Sequence, residues 1–196
     1  MARSVHSHSF SEIPRAEIQR SSFDRSHGHK TTFDAGRLIP FFLEEALPGD
    51  TFNVRTAGFV RMATPIFPIM DNMYMDTHYF FVPNRLVWDN WHKFMGEIED
   101  PQIEDPQNPI QYLVPIANPP EALEAGDIGD YMGLPIGKTG VEVSALFHRA
   151  YRLIYDEWFR DENLQDPIMT PEMHGDGPDN GDSYQTKTAI RGKRFD

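Results

Sequence analysis

At 196 residues without a single cysteine, the chain is sized for one domain, and disulfide frameworks, cysteine-ligated zinc and thiol catalysis are excluded. Thirty acids against 18 bases give a net charge of −12, the opposite balance from a dedicated nucleic-acid binder, while 12% aromatic content is too rich for a wholly disordered chain. No apolar run approaches the roughly 20 residues of a membrane helix, so membrane insertion is not expected. Met1 to Glu12 lacks the apolar stretch of a secretory signal. Sixteen prolines forbid long uninterrupted helices and imply many fixed turns.

Charge divides the chain. Residues 1–37 hold six bases (Arg3, Arg15, Arg20, Arg25, Lys30, Arg37) against four acids, leaving 12 bases and 26 acids for residues 38–196. The first part is a mildly basic, extended N-terminal arm whose Phe10, Ile13, Ile18, Phe23 and Phe33 follow no period and cannot build a core of their own. They are suited to docking into another surface.

In the body, Leu47-Pro48-Gly49-Asp50 is a turn, and period-two alternation then predicts a long strand over 51–62. A second strand is predicted over 73–82, with aromatics on both faces, and Pro83 stops it. Helical spacing follows over 85–95 through Trp88, Trp91 and Met95, with Gly96 as a stop. Residues 97–120 hold six prolines and read as one long loop of the kind used at interfaces. Short helices are expected at 120–125 and 127–132, closed by Gly126 and Gly133. The best helix runs from Ser144, a candidate cap, to Asn163, with an apolar stripe of Phe147, Tyr151, Ile154 and Trp158. Residues 171–182 read as a surface loop, and 186–190 as the start of another strand. There is no internal repeat. The two long strands lack obvious partners within 196 residues, so their partners come from other chains or from a longer sequence.

The chemistry-bearing residues do not assemble into a reaction centre. His6/His8 and His27/His29 offer two ligands each on flexible chain, too few for a metal site. The acids Glu97, Glu99, Asp100, Glu104 and Asp105 sit on proline-rich loop and read as a solvated run. Asp176 to Asp182 resembles a calcium loop only superficially, since Pro178 replaces a ligand and Lys187 the closing acid. Nucleophile and phosphate-loop motifs are missing, so no enzyme, cofactor or metal is expected. Trp88 and Trp91, at helical spacing, read as core or subunit interface; a stacking platform on exposed tryptophans would make the chain a β-sandwich carbohydrate-binding module instead. Arg15, Arg20 and Arg25 are candidate phosphate contacts, minor ones given the arm's small excess of charge.

Four stretches carry a resemblance. They are Lys30–Pro40 followed by Glu45–Phe52, then Phe80–Trp88, then Tyr151–Gln165, with Arg20-Ser21 and Phe23, Arg25 and His27 in the arm. Together they resemble the major capsid protein of gokushoviruses, small single-stranded DNA bacteriophages of the Microviridae. The resemblance runs in order through nearly the whole chain and matches its N-terminal portion, since family members are much longer. It implies a mainly β fold: a viral jelly-roll β-barrel, partial in this chain, with long loops and a few helical insertions on residues 38–196. It implies a structural subunit that self-assembles into an icosahedral capsid around the DNA, with the arm on the inner side. The implied partners are other capsid subunits, the packaged single-stranded DNA, a small basic DNA-binding protein, and a host surface receptor met by regions beyond this chain. The implied location is the virion, after synthesis in the host bacterial cytoplasm. On this view Phe10, Ile13, Phe23, Trp88 and Trp91 make subunit contacts, and Arg15, Arg20 and Arg25 face the inner surface and DNA.

Overall fold

A computed structural model describes residues 18–97, 111–119, 121–176, 178 and 179. The chain separates into two units, Met1–Lys30 and Thr31–Asp196.

In the first unit the described residues are extended and exposed. Ile18 is 83% and Phe23 80% exposed. Local hydrogen bonds shape the described part of the arm. The Ser26 amide and hydroxyl both donate to Asp24 Oδ1, and His27 Nδ1 donates to the Arg25 carbonyl at 2.9 Å. An Asp that satisfies the amide two residues on is the ordinary Asx turn. The two donors hold the Asp24 carboxyl below the usual range.

The second unit is built on one helix, α3 (Leu146–Ile154). Ahead of it lie α1 (Trp91–Phe94), strand β1 (Ile116–Ala117), α2 (Ile128–Tyr131) and strand β2 (Val143–Ser144). β1 pairs antiparallel with β2, in the register Ile116 to Ser144 and Ala117 to Val143. Asp179 adds a parallel bridge on Ala117, its amide donating to the Ile116 carbonyl at 2.8 Å. Ala117, Leu123 and Ala145 are buried together, with Leu134 and Val143 packed against them. Gly129 belongs to this packing, because a Cβ there would stand 2.6 Å from Leu123 Cδ1. Early residues are tied in by two phenols: Tyr131 donates to the Thr32 carbonyl (3.0 Å) and Tyr151 to the Leu38 carbonyl (2.9 Å).

Several elements differ from those predicted. The 85–95 helix is divided into a 3-10 turn, Asn84–Leu86, and α1, which stops at Gly96 with φ +102°, as expected of a glycine stop. The split follows from Asp89, whose amide donates to His174 across the fold instead of within a helix. Among the described residues 121–125 there is no helix, whereas α2 falls inside the predicted 127–132 and ends at Gly133, φ +86°.

The 144–163 helix begins at Leu146, whose amide reaches Ser144 Oγ at 3.4 Å, and changes after Ile154 to a wider π turn, Tyr155–Phe159. Its last bond runs from the Arg160 amide to the Tyr155 carbonyl, five residues back, at 2.8 Å. Asp161 then starts a turn by accepting from the Asn163 amide at 3.0 Å, so the helix cannot continue to 163.

The predicted strands 51–62 and 73–82 are extended but form no ladder. They lie side by side and antiparallel through side chains: Thr56 Oγ1 meets the Tyr79 hydroxyl, and the Met75 methyl sits 3.5 Å from where a Cβ on Gly58 would be. Among the described residues regular structure is thus sparse, with little helix and one small antiparallel sheet, consistent with a mainly β class. No described helix is long and apolar enough to cross a membrane.

A candidate interaction surface

The deepest face of α3 is polar. His148, Arg149 and Arg152 are each at most 2% exposed, more buried than any member of the predicted apolar stripe. A buried guanidinium is tolerable only if its fixed donors all find acceptors, and those of Arg149 find several. Its Nε and Nη2 bind the Asp179 carboxylate, the latter at 2.8 Å, and its Nη1 donates to the carbonyls of Val87 (3.1 Å) and Gly175 (3.0 Å). Arg152 Nη1 reaches the other Asp179 oxygen at 2.9 Å. One carboxylate therefore bridges two arginines one helical turn apart.

His148 lies in the same cluster. Burial, then the charge of Arg152, lowers its pKa from 6.5 to about 4, against the opposing pull of Asp179 and a backbone hydrogen bond with Ser144. The ring is neutral at pH 7, so it adds no third positive charge.

The next turn works the same way. Asp156 accepts from the amides of Ile168 (2.9 Å) and Met169 (2.7 Å), and the Tyr155 hydroxyl donates to Gln165 Oε1 at 2.9 Å. Burial, with Asp156 alongside, raises the pKa of that phenol. Arg149, Arg152, Tyr155 and Asp156 each hold a loop. None faces open space as a nucleophile or base, and among the described residues no three His, Asp or Glu side chains are grouped to hold a metal.

The predicted stripe of α3 forms a second surface instead. Tyr151 is buried, but Phe147 and Ile154 are only half-buried and Trp158 is 49% exposed. Trp158 and Phe159 meet Phe80 at ring-centroid distances of 5.7 and 6.1 Å, and His78 stands edge-on to Phe159 at 5.6 Å. Between Phe80, Phe81 and Leu86 on one wall and Leu153 and Trp158 on the other lies an open apolar cleft of ≈ 140 Å³, with Glu157 at its rim.

The residues singled out from the sequence fall in different places. Phe10, Ile13, Arg15 and the His6/His8 pair lie outside the described residues, as do the acidic loop beyond Glu97 and the strand expected at 186–190. Phe23, Arg20, Arg25, His27 and His29 are exposed on the arm. Trp88 and Trp91 are brought together, 6.0 Å apart, with Phe94 5.1 Å from Trp88. Their environments differ. Trp88 is 0% exposed and its indole N–H donates to Asp176, which also accepts from Asn90 Nδ2 at 3.0 Å, whereas Trp91 is half-buried and Phe94 44% exposed. Trp88 is therefore held within its own chain, as a core residue, and presents no face for stacking.

The sequence reading missed Arg149, Arg152 and Asp179. The available signal was the Arg149/Arg152 spacing of three beside an apolar stripe, which places both on one helix face.

The profile of a family described as Capsid protein (F protein) matches residues 11–196. The chain is 46% identical over 185 residues to Capsid protein VP1 of Bdellovibrio phage phiMH2K, which covers 94% of this chain and 33% of that protein. It is 43% identical to Capsid protein VP1 of Chlamydia phage 1, across 98% of this chain and 35% of that protein. Capsid protein VP1 of Spiroplasma virus 4 is 30% identical, across 96% of this chain and 34% of that protein. The chain thus spans about a third of the length of the relatives it matches.

Proposed function

Since the chain belongs to the capsid protein (F protein) family, we propose that it forms part of the shell of a small icosahedral single-stranded DNA bacteriophage of the gokushovirus kind (Microviridae). The family is a structural one, and the role is not catalytic. The observation that carries the reading is the match that runs from residue 11 to residue 196, with 46% identity to a phage capsid protein over 94% of the chain. The geometry supports it. Phe59, Ile66, Phe67, Met70 and Phe81 are each at least 79% exposed, a large apolar area of the sort that assembly covers.

In this reading residues 38–196 supply the opening part of a jelly-roll barrel. Segments 51–62 and 73–82 are its first strand pair. Residues 1–37 are an arm on the inner side, where Arg15, Arg20 and Arg25 meet packaged DNA. Phe10, Ile13, Phe23 and Trp91 contact neighbouring subunits, and Trp88 supports Trp91 from beneath. The protein is made in the host bacterial cytoplasm and ends in the virion, with a small basic DNA-binding protein as partner. A host receptor is met by regions outside this chain. Against the carbohydrate-binding alternative stands the enclosure of Trp88, which takes one of the three tryptophans out of any stacking platform.

The test is sedimentation of nuclease-treated lysate from the native source, following peptides from residues 18–97 and 121–176 by mass spectrometry. Peptides travelling with fast, nuclease-resistant particles are expected. Peptides that stay at the top of the gradient would sink the capsid reading.

A further inference from the structure

We propose that residues 31–37 are a releasable strap. The Tyr131 phenol on α2 is a clasp that opens on its own, while the Tyr151 phenol on α3 is a fixed anchor, so free chain can begin at either of two points. The proposal rests on the shell-subunit reading only for its use, which is to give one arm two reaches.

The two bonds differ in surroundings. Tyr131 donates to the Thr32 carbonyl at 3.0 Å where both are open to solvent. Tyr151, itself buried, donates to the Leu38 carbonyl at 2.9 Å in a partly buried setting. Burial changes at the same place: residues 31–37 are exposed throughout, and 38–42 are half-buried. Water replaces an exposed hydrogen bond at small net cost, whereas a buried one opens only with the packing around it. The outer bond therefore opens alone, and the inner one opens with the body.

Three features ease the release. The Thr31 hydroxyl stands 3.5 Å from the Thr32 carbonyl, so that carbonyl keeps a donor when the phenol leaves. Gly36, with φ +79°, is a pivot just before the anchored stretch, and glycine enters or leaves that conformation without strain. Burial and the charges of Asp130 and Asp34 raise the pKa of Tyr131, with Arg37 opposing. The phenol is thus a donor at neutral pH, and a carboxylate of α2 and one of the strap stand close enough to it to repel each other as the clasp closes.

Opening the clasp frees residues 31–36. Six extended residues add about 20 Å to the reach of the arm.

The test uses an endoproteinase that cuts on the N-terminal side of aspartate, because Asp24 lies in the arm and Asp34 in the strap. In the natural protein the cut before Asp24 should be the faster. Tyr131→Phe removes one exposed hydroxyl and should speed the cut before Asp34 about fivefold, the worth of one such hydrogen bond, with the cut before Asp24 unchanged. Equal rates at the two sites in the natural protein overturn the clasp. An unchanged rate at Asp34 in the variant does so too, and that is the result if another part of the protein covers the strap.

A second measurement needs no variant. In 1 M urea the cut before Asp34, which follows a small local opening, should rise less than about twofold relative to Asp24. Tryptic cleavage after Arg37, which needs the anchored Leu38 to come free, should rise at least about fivefold relative to cleavage after Arg25. Equal responses at Asp34 and Arg37 would make strap and anchor one unit and overturn the proposal. None of these rates depends on particle formation, so their failure leaves the shell reading standing, and sedimentation decides that reading separately.

Discussion

Asp179 shows how much one side chain can hold. Its carboxylate is shared by Arg149 and Arg152, and its backbone amide closes onto β1. Removing one member of a buried ionic group leaves the others charged and uncompensated, which costs about 3–5 kcal/mol. Asp179→Asn should therefore lower the unfolding free energy by about that much in a urea titration. Neighbouring His148 gives a second expectation at this scale. Its pKa is about 4 folded against 6.5 for the ordinary group, so the unfolded chain binds the extra proton between these values. This contribution is complete above pH 6.5. It is lost as pH falls towards 4 and changes no further below that, for a total of about 3 kcal/mol. Unfolding midpoints measured between pH 7 and 4 should fall more steeply for the natural protein than for His148→Leu.

Among the elements, α3 and its π extension organise the loops. Tyr151 holds Leu38, Arg149 holds Val87 and Gly175, and Asp156 holds Ile168 and Met169. In Asp156→Ala the amides of Ile168 and Met169 should exchange with solvent at least tenfold faster than in the natural protein, while the amide of Arg149, bonded to Ala145 within the helix, should change little. Packing at α2 makes a further expectation. Gly129→Ala pushes a methyl onto Leu123 and should cost about 1–3 kcal/mol, with part regained in the double variant Gly129→Ala, Leu123→Val.

The position of α3 was legible from the recurrence of Phe147, Tyr151, Ile154 and Trp158. Its orientation was not. Hydrophobic spacing assigns the apolar stripe to the core, but the guanidinium groups of Arg149 and Arg152 take the deepest places because acceptors 27 and 30 residues away come to meet them. Pairing at that range leaves no periodic trace. The stops at Gly96 and Gly133 were legible for a local reason, a positive φ that glycine alone adopts without strain.

At the scale of the whole molecule, the sequence reading of long alternating segments at 51–62 and 73–82 describes side-chain faces, and the segments do lie antiparallel. A strand also needs backbone partners, and alternation says nothing about where those are. The tryptophans divide by the same logic. Aromatic spacing identified Trp88 and Trp91 as a pair, but only the packed fold separates an enclosed ring from one at the surface. Trp88→Ala removes a fully buried indole and should destabilise the protein by about 3–5 kcal/mol. Trp91→Ala should leave the unfolding midpoint nearly unchanged and reduce the fraction of protein that sediments as particles. Equal loss of stability in both variants would remove Trp91 from the subunit contact.

The bridge between α3 and Asp179 also sets a clock during synthesis. Arg149 leaves the ribosome 30 residues before its counter-charge, a lag on the order of a few seconds at 5–20 residues per second. Throughout that interval the helix can form, but burying its arginines is unfavourable, so the nascent chain stays open on that side. The third strand position on β1 is empty for the same interval. The body therefore closes late and through distant contacts, which delays its apolar surfaces from settling until residue 179 has appeared.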